Sequence, residues 1–499
     1  MKSRFLTPLI LIASLALAEP HARAEYPPVR PPRTTPPPVE GNYTIHPDQP
    51  RQIIKGLGFE IQLDSIASGN KGLPDTISAV PHDLAPEERA RFYKEMIHGF
   101  RFCRLAAGLY WRGLDADNKQ FQPRWPTQLD ELHEMIQATG VEGVSMEYWS
   151  PAPYWKANNK LVWGAPLRCF SKNFTADPVY HGDTNAFLND FAHACVKDLQ
   201  TLRDSGIPIS MWGLQNEPFA STPYSSCTYS AENYSKTFLT VAPMIRAFDP
   251  KIWIIADTAG LQYIAPALRD PKANSLIDAF VVHHVGSSCM EVKGPRTPEG
   301  FQQPSFQNEY EYLNGPATPD RCLNTVQHIM NWFQLGKAPT WFWIHALKPV
   351  GNKEASGYAL GFWNPPGNPV TGEDTSAPGL EPGHWTWNKY NWNALAGFLR
   401  HMPWDSQALD VTEQKKDNDA RIFVFRRPDK KMVIVLSNRT GADYKFNIGT
   451  GLQSATFQGW RYTPEEAGPG FNGVKLDTLT GPSIAPNLPD RTWEFWIQQ

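Results

Sequence analysis

The stretch IPISMWGLQNEP, residues 207–218, is an apolar run that ends in the polar pair Asn216–Glu217 and is stopped by Pro218. A short apolar run bounded by a turn signal is typical of a buried strand. Similar runs occur at IIKGLGF (53–59), FRFCRL (100–105), VEGVSME (141–147), KIWIIAD (251–257), LIDAFVVH (276–283), PSFQNE (304–309) and TWFWIH (340–345). The sequence therefore predicts eight strands in this part of the chain.

Amphipathic segments separate several of these runs, as in PEERARFYKEMIH (86–98), QLDELHEMIQATG (128–140) and AFLNDFAHACVKDLQTL (186–202). In the last of these, Phe187, Phe191, Cys195 and Leu199 recur at helical spacing and form one stripe. Strands that alternate with helices indicate an α/β fold with a parallel sheet. We predict a (β/α)8 TIM barrel over residues 53–402, with residues 286–303 as a loop after the sixth strand.

The pattern changes after about residue 403 to short alternating strands with tight turns, such as ARIFVFRR (420–427), MVIVLSN (432–438) and ATFQGWRY (455–462). This pattern predicts an appended antiparallel β-sandwich. Residues 41–52 precede the first barrel strand and can add a strand to it. The expected β-domain is therefore residues 41–52 together with 403–499.

The first residues, MKSRFLTPLILIASLALA, combine a basic start, a short apolar run and small residues, as secretory signals do. We expect a signal peptide over residues 1–24, with cleavage after Ala18 or Ala24, and a secreted protein, either extracellular or periplasmic. Residues 25–40 are rich in proline and are expected to form an extended linker. No later apolar run approaches the length of a membrane span.

Composition excludes several classes of function. The net charge is only -3 and no basic block occurs, which argues against a nucleic-acid partner. The six cysteines have no zinc-site spacing, and no nucleotide or calcium motif is present, so we expect neither a metal nor a cofactor. Cys103 and Cys195 lie in apolar segments and are expected to be buried thiols. The 18 tryptophans favour carbohydrate as the ligand class.

Two glutamates end strands on opposite sides of the predicted barrel. Glu217 follows the fourth strand and Glu309 closes the seventh, and a TIM barrel gathers its chemistry at these carboxyl ends. Two carboxyl groups about 5 to 5.5 Å apart are what a retaining glycosidase needs. Glu311 is the alternative to Glu309, since it would lie on the same face if the strand continued.

The sequence resembles glycoside hydrolase family 30, a family of (β/α)8 retaining enzymes with an attached β-sandwich. The motifs that carry the resemblance are IKGLGFE (54–60), FRFCRLAAG (100–108), WSPAPYWKANN (149–159), GLQNEP (213–218) and QNEYEY (307–312), and their order spans residues 50–499.

The resemblance implies that Glu217 is the acid/base, kept protonated partly by its charged neighbour, and that Glu309 is the nucleophile. It implies that Asn216 binds the sugar 2-hydroxyl and that Arg104 keeps the nucleophile ionised, although Arg104 could instead form a structural ion pair.

Further residues implied by the resemblance are His283 at the end of the sixth strand and three rings that would line the sugar site, Trp149, Trp155 and Trp343. The alternative for each is packing in the core.

The chain departs from the family at Val285, where a tyrosine is usual, and at Trp111, where the glucosylceramidase branch has an aspartate that grips a terminal glucose. The leading hypothesis is a secreted retaining β-glycosidase that attacks within a polysaccharide, of xylan or β-1,6-glucan or galactan type. The alternatives are an exo-acting, glucosylceramidase-like enzyme and a non-catalytic carbohydrate-binding protein. A surface adhesion module is weaker, since neither repeats nor an anchoring signal occur.

Overall fold

The computed structural model describes residues 36–61, 84–124, 126–256, 268–312, 315–350, 357, 359–364 and 379–499. The expected signal peptide and most of the expected linker lie outside these ranges. Within them, no helix is both long enough and apolar enough to cross a membrane. All six cysteine side chains are buried free thiols, as expected for Cys103 and Cys195.

The strands, in chain order, are β1 (Glu40–Ile54), β2 (Gly56–Glu60), β3 (Phe102–Ala107), β4 (Gly113–Leu114), β5 (Phe121–Gln122), β6 (Gly143–Tyr148), β7 (Ile209–Gly213), β8 (Trp253–Ala256), β9 (Ala279–His283), β10 (Ser305–Glu309), β11 (Thr340–Trp343), β12 (His345–Pro349), β13 (Ala359–Trp363), β14 (Trp385–Trp387), β15 (Ser406–Glu413), β16 (Ala420–Arg426), β17 (Met432–Asn438), β18 (Tyr444–Gly449), β19 (Ala455–Tyr462), β20 (Val474–Gly481), β21 (Ser483–Ile484), β22 (Asn487–Leu488) and β23 (Thr492–Gln498).

The helices are α1 (Pro86–Phe92), α2 (Gln128–Thr139), α3 (Thr184–Asp204), α4 (Ala231–Phe248), α5 (Pro271–Leu276), α6 (Pro319–Gln334) and α7 (Lys389–His401). A π-helical turn, Tyr93–Ile97, continues α1. Between β9 and β10, where the sequence shows no helix, the chain makes a short 3-10 turn at Cys289–Glu291.

Eight parallel strands form the barrel in the spatial order β10-β9-β8-β7-β6-β3-β2-β11. The two ends of this order meet just beyond β10 and β11, where the backbone N–H of Ile344 donates to the carbonyl of Tyr310 at 3.2 Å. The Gln307 side chain adds a bond to the carbonyl of Phe342 at 2.8 Å. Each of the eight predicted runs overlaps one barrel strand, and the predicted TIM barrel is confirmed.

Aromatic rings fill the barrel interior. The ring of Phe342 stacks on Phe102, with centroids 6.1 Å apart, and on Phe306, with centroids 5.9 Å apart. Gly58 on β2 leaves the space that the Phe342 ring occupies, because a Cβ at Gly58 would come within 2.2 Å of that ring. The interior is therefore a packed core in which one strand contributes no side chain at this level.

The appended domain is a sheet in the order β20-β19-β23-β17-β16-β15-β1-β18-β21. Its pairings are antiparallel except that β1, from the other end of the domain's sequence, runs parallel to β18. Strand β16 is buried on both faces. Its Ile422 and Val424 face the interior of the β-domain, whereas Phe423 packs on Phe333 of α6 with ring centroids 5.7 Å apart. The β-sandwich domain therefore shares a hydrophobic interface with the barrel.

The packing around Gly58 leads to a stability prediction. We expect Gly58→Ala to lower the free energy of unfolding by about 1–3 kcal/mol, because the new methyl group overpacks a ring that is already held on two sides. Urea unfolding measures the change. The double variant Gly58→Ala/Phe342→Leu should recover part of the loss, and an unchanged unfolding midpoint in Gly58→Ala would contradict this account of the core.

Candidate active site

Arg104 lies at the centre of a cluster of buried polar side chains. Its Nη1 is 2.5 Å from a carboxylate oxygen of Glu60 and 2.5 Å from one of Glu309. Its Nε donates to Glu147, and its Nη2 donates to the side-chain oxygen of Asn216 at 2.6 Å. Arg104, Glu60 and Glu147 are fully buried. One guanidinium thus connects three carboxylates and an amide.

The barrel explains why residues so far apart in sequence meet. Glu60 and Glu309 are the last residues of β2 and β10, and Glu147 is near the end of β6. Arg104 stands beside Glu60 in the register of β2 and β3. Since parallel strands bring their carboxyl ends to one rim, inward-facing residues at those ends converge.

The two glutamates at opposite sides of the rim are joined by His283. The imidazole Nδ1 is 3.0 Å from an oxygen of Glu217 and 3.1 Å from an oxygen of Glu309. One donor or acceptor atom from each of these three residues lies within 4.8 Å of the others. A Glu217 oxygen and a Glu309 oxygen are therefore close enough to act on one reacting carbon.

The backbone at Glu217 is held in an uncommon conformation. Its φ is +43°, in the left-handed region that residues other than glycine rarely adopt. Two hydrogen bonds fix the turn, from the N–H of Asn216 to the carbonyl of Tyr148 at 2.7 Å and from the N–H of Ala220 to the carbonyl of Glu217 at 2.8 Å. The side chain of Glu217 is 28% exposed, against 7% for Glu309. Glu217 is thus the more accessible of the two acids.

No protein-family profile matches the sequence. Solved structures match over almost the whole chain. The catalytic domain of xylanase C of family 30, from Talaromyces cellulolyticus, is 16% identical with a TM-score of 0.64, covering 92% of this chain and 100% of that one. An endo-β-1,6-glucanase is 16% identical with a TM-score of 0.63, covering 94% of each chain. A family 30 subfamily 8 xylanase from Clostridium acetobutylicum is 16% identical with a TM-score of 0.62, covering 92% and 99%. The chain has the fold of the family 30 glycoside hydrolases.

The resemblance inferred from the sequence motifs is thus confirmed at the level of this family 30 fold. Of the residues that the motifs single out, Arg104, Asn216, Glu217, His283 and Glu309 come together in the structure. Glu311 does not join this group, and its carboxyl group shares a hydrogen bond with Nδ1 of His345. Of the two acids considered for the seventh strand, Glu309 is the one beside Glu217.

The pKa directions around His283 differ from the sequence-based expectation. Burial acts to raise the pKa of Glu217, but the hydrogen bond and charge of His283, together with the Arg104 charge, outweigh it and lower that pKa. Burial raises the pKa of Glu309, and the positive charges of His283 and Arg104 offset this only in part. Burial acts to lower the pKa of His283, but Glu309 and the bond to Glu217 raise it on balance. The pKa of Glu217 is therefore lowered, whereas the sequence suggested a carboxyl group that is kept protonated.

The three tryptophans expected to line the sugar site have different surroundings. Trp149 packs against Tyr224, with ring centroids 5.5 Å apart. Tyr224 is near the acids, since burial raises its pKa to about 12 with a further contribution from the charges of Glu217 and Glu309. Trp149 is therefore beside the acid pair.

The other two tryptophans pack among core side chains, which was the alternative considered for each of them. Trp155 packs between Phe187 and Phe191 of α3, and its Nε1 donates to a backbone carbonyl. Trp343 is fully buried and meets Tyr310 edge to face. Because Phe342 points into the barrel, its neighbour Trp343 points outward, toward the helix layer.

Sequence reasoning missed Glu60 and Glu147, which are members of the cluster. It also missed Asn308, whose side-chain amide donates to Glu147 at 2.9 Å. A usable signal was present: Glu60 and Glu147 each end or nearly end an otherwise apolar run. A charged residue at that point of a buried strand is expected only where a partner is available.

The donor set of Glu217, His283 and Glu309 is also one that a divalent cation takes, since imidazole and carboxylate are both common zinc ligands. The sequence shows no metal motif, and all three side chains already have hydrogen-bond or ion-pair partners in the cluster. Metal dependence is therefore best tested directly, as a control in the activity assay below.

Arg104 contacts three carboxylates, and this excess of acidic groups leads to a prediction about how stability depends on pH. Burial is the largest cause that raises the pKa of Glu60 to about 8, with the negative charges of Glu309 and Glu147 adding to it and Arg104 opposing it. The folded chain thus holds a proton that the unfolded chain loses near pH 4.5, so this group lowers the free energy of unfolding as pH rises from about 4.5 to 8. Glu60→Gln keeps the shape without the titration. We expect the variant to gain stability relative to the parent between pH 5 and pH 8 in urea unfolding.

The matched control is Glu134→Gln, which removes an exposed glutamate. Its difference from the parent should stay constant over the same pH range. Parallel pH curves for the parent and Glu60→Gln would show that Glu60 does not carry this proton.

Proposed function

We propose that this chain is a retaining β-glycoside hydrolase that cleaves β-linked polysaccharide by double displacement. The observation that carries the proposal is the spacing of the two acids, since oxygens of Glu217 and Glu309 lie within 4.8 Å of each other at the carboxyl rim of the barrel. Retaining enzymes need this close spacing, whereas inverting enzymes need a wider gap that admits a water molecule between acid and sugar.

Glu309 is the nucleophile in this proposal. Its buried carboxylate is held by Arg104 and His283, so it is oriented without reorganisation when the substrate arrives. An oxygen of Glu309 bonds to the anomeric carbon while the bond from that carbon to the leaving oxygen breaks, which forms a glycosyl-enzyme ester. Water then cleaves the ester and releases Glu309.

Glu217 is the acid/base. It gives a proton to the leaving oxygen in the first step and takes one from the attacking water in the second. Its greater exposure suits this role, because the leaving group and the water must both reach it. Asn216, held by Arg104, is placed to bind the 2-hydroxyl of the same sugar.

His283 supplies the proton in the unliganded enzyme. Its Nδ1 is within hydrogen-bond distance of both acids, so the proton has a short path to Glu217. A sugar that enters beside Glu217 displaces water and raises the pKa of the exposed carboxylate, which draws the proton to it. The protonated Glu217 that the first step requires is then formed on binding.

The proposed substrate is an internal linkage of a polysaccharide of xylan, β-1,6-glucan or β-1,6-galactan type. Xylanases and an endo-β-1,6-glucanase are among the proteins of similar fold. Trp111 is fully buried against Phe121 and offers no carboxylate to grip a terminal glucose, which disfavours exo-action. The signal-like first 24 residues support export before the enzyme meets such a polymer.

Activity and covalent trapping test the mechanism. Purified protein should release oligosaccharides of several lengths from at least one of the three polymers, and a 2-fluoro sugar should label Glu309. We expect Glu217→Gln and Glu309→Gln each to reduce kcat by about a hundredfold or more. Activity should persist in excess EDTA.

Glu311→Gln is the matched control, since it changes the neighbouring acid and should still form the adduct. A label on Glu311, an inverted product configuration, or loss of activity on chelation would each contradict the proposed mechanism. Release of monosaccharide only would favour the exo-acting alternative.

The proton on His283 predicts a pH effect on kcat/KM. Burial acts to lower the pKa of His283, but the charge of Glu309 and the bond to Glu217 raise it on balance, so the parent holds this proton to a higher pH than a free imidazole does. We expect His283→Asn to lower the maximum rate and to move the alkaline limb to lower pH, because Glu217 must then hold the proton at its own lower pKa. An alkaline limb that stays in place would show that His283 does not hold the proton.

A further inference from the structure

A groove of about 780 Å³ lies outside the catalytic cluster, on the outer side of the barrel. Four parts of the chain line it: the π-helical turn after α1 with the residues that follow it, Trp387 at the end of β14, one face of α7 and the Pro469–Phe471 turn of the β-domain. None of the residues that line it belongs to the cluster around Arg104. It is therefore a separate surface feature that the proposed chemistry does not use.

Aromatic rings form the floor of the groove. The centroids of Trp387 and Trp392 are 4.4 Å apart, and those of Trp387 and Phe471 are 4.8 Å apart. Trp392 and Phe471 meet edge to face at 6.0 Å. The side chains of Trp387 and Phe471 are partly exposed, so part of this aromatic surface faces solvent.

Polar side chains of both charge signs form the rim. Lys94, Glu95, His98 and Arg400 are exposed at the edge of the groove. Arg400 also donates to the carbonyl of Gly470 at 3.3 Å, which ties α7 to the turn that carries Phe471. An aromatic floor with polar groups at its edge is the general form of a small-molecule site.

The backbone at the edge of the groove also has an uncommon conformation. Phe471 has a φ of +58°, an uncommon conformation for a bulky residue. A protein retains such strain where the surrounding structure holds it, often at a binding site.

We propose that this groove binds a segment of β-glycan, as a second carbohydrate site on the outside of the catalytic domain. Sugar rings have apolar C–H faces that stack on aromatic rings, and their hydroxyls can form hydrogen bonds with the polar side chains of the rim. The proposal rests on the proposed function for its choice of glycan. A second binding site for the same polymer raises the local concentration of substrate at the catalytic rim without a change in the catalytic site.

Binding is measured by native gel electrophoresis through soluble xylan, linear β-1,6-glucan or β-1,6-galactan, with an α-glucan as the negative control. Glu217→Gln serves as the background, so that the polymer stays intact. We expect Trp387→Ala and Phe471→Ala to weaken retention about fivefold or more, and Trp387→Phe, which keeps a ring, to retain most of it. Trp253→Ala is the matched control, since it removes a partly exposed tryptophan that lies outside the groove.

The same groove variants, made in the active enzyme, are assayed on a short soluble oligosaccharide, where rates should stay within about twofold of the parent. Thermal unfolding checks each fold, and Phe471→Ala decides the matter if Trp387→Ala is unstable. If the groove variants hydrolyse substrate normally and their retention by the polymer is unchanged, the groove is not a glycan site and the proposed function still holds. Ring-dependent retention by a chain that hydrolyses nothing would support the groove and overturn the proposed function.

Discussion

The fully buried guanidinium of Arg104 is the group on which the candidate site depends. An arginine side chain has five N–H donors in a fixed plane, and here they reach Glu60, Glu147, Glu309 and Asn216. Burying such charges is favourable only if each keeps a partner, and removal of one partner of a buried ion pair costs about 3–5 kcal/mol. The cluster therefore holds the ends of four barrel strands in one arrangement, and the nucleophile candidate is one of its members.

One positive charge does not balance three carboxylates, and this imbalance sets the electrostatics of the rim. Burial and the neighbouring carboxylates raise the pKa of Glu60 to about 8, and the pKa of His283 is raised as well. A rim with a surplus of negative charge suits the proposed reaction, whose transition state is positive at the anomeric carbon. Because Arg104 is shared among three acids, Glu309 is less stabilised as an anion than it would be with Arg104 to itself, which favours the nucleophilic role proposed for it.

Periodicity and turn signals in the sequence were sufficient for the barrel, because strand and helix periods differ and a barrel repeats them eight times. The meeting of Glu217 with Glu309 followed from the same argument, since the fold requires strand ends to share a rim. The direction of each side chain at a strand end could not be predicted from the same patterns. Trp343 was expected at the sugar and points to the helix layer, because one residue of register decides which face a side chain takes.

The partners of a buried charge are equally hard to read from sequence. Glu60 stands in a quoted motif and Glu147 ends a quoted apolar run, but nothing in a single strand shows that Arg104 on a third strand contacts both. The direction of the Glu217 pKa was missed for the same reason. It depends on the position of His283, whose Nδ1 contacts both acids.

Helix α6 connects β10, which ends at Glu309, to the last barrel strand and is buried almost all round, although it carries several amides. The β-domain explains how those amides are tolerated. Gln327 donates to the carbonyl of Asp419 at 2.9 Å, and Asn331 accepts from Arg421 at 3.0 Å. On its other side the helix reaches β10 through Asn324, which donates to the hydroxyl of Tyr310 at 2.9 Å. Tyr310 follows Glu309 directly, so the β-domain supports the helix that packs behind Glu309. Loss of the β-domain would expose apolar side chains of α6 such as Phe333, which packs on Phe423, and the barrel would lose the support of this helix.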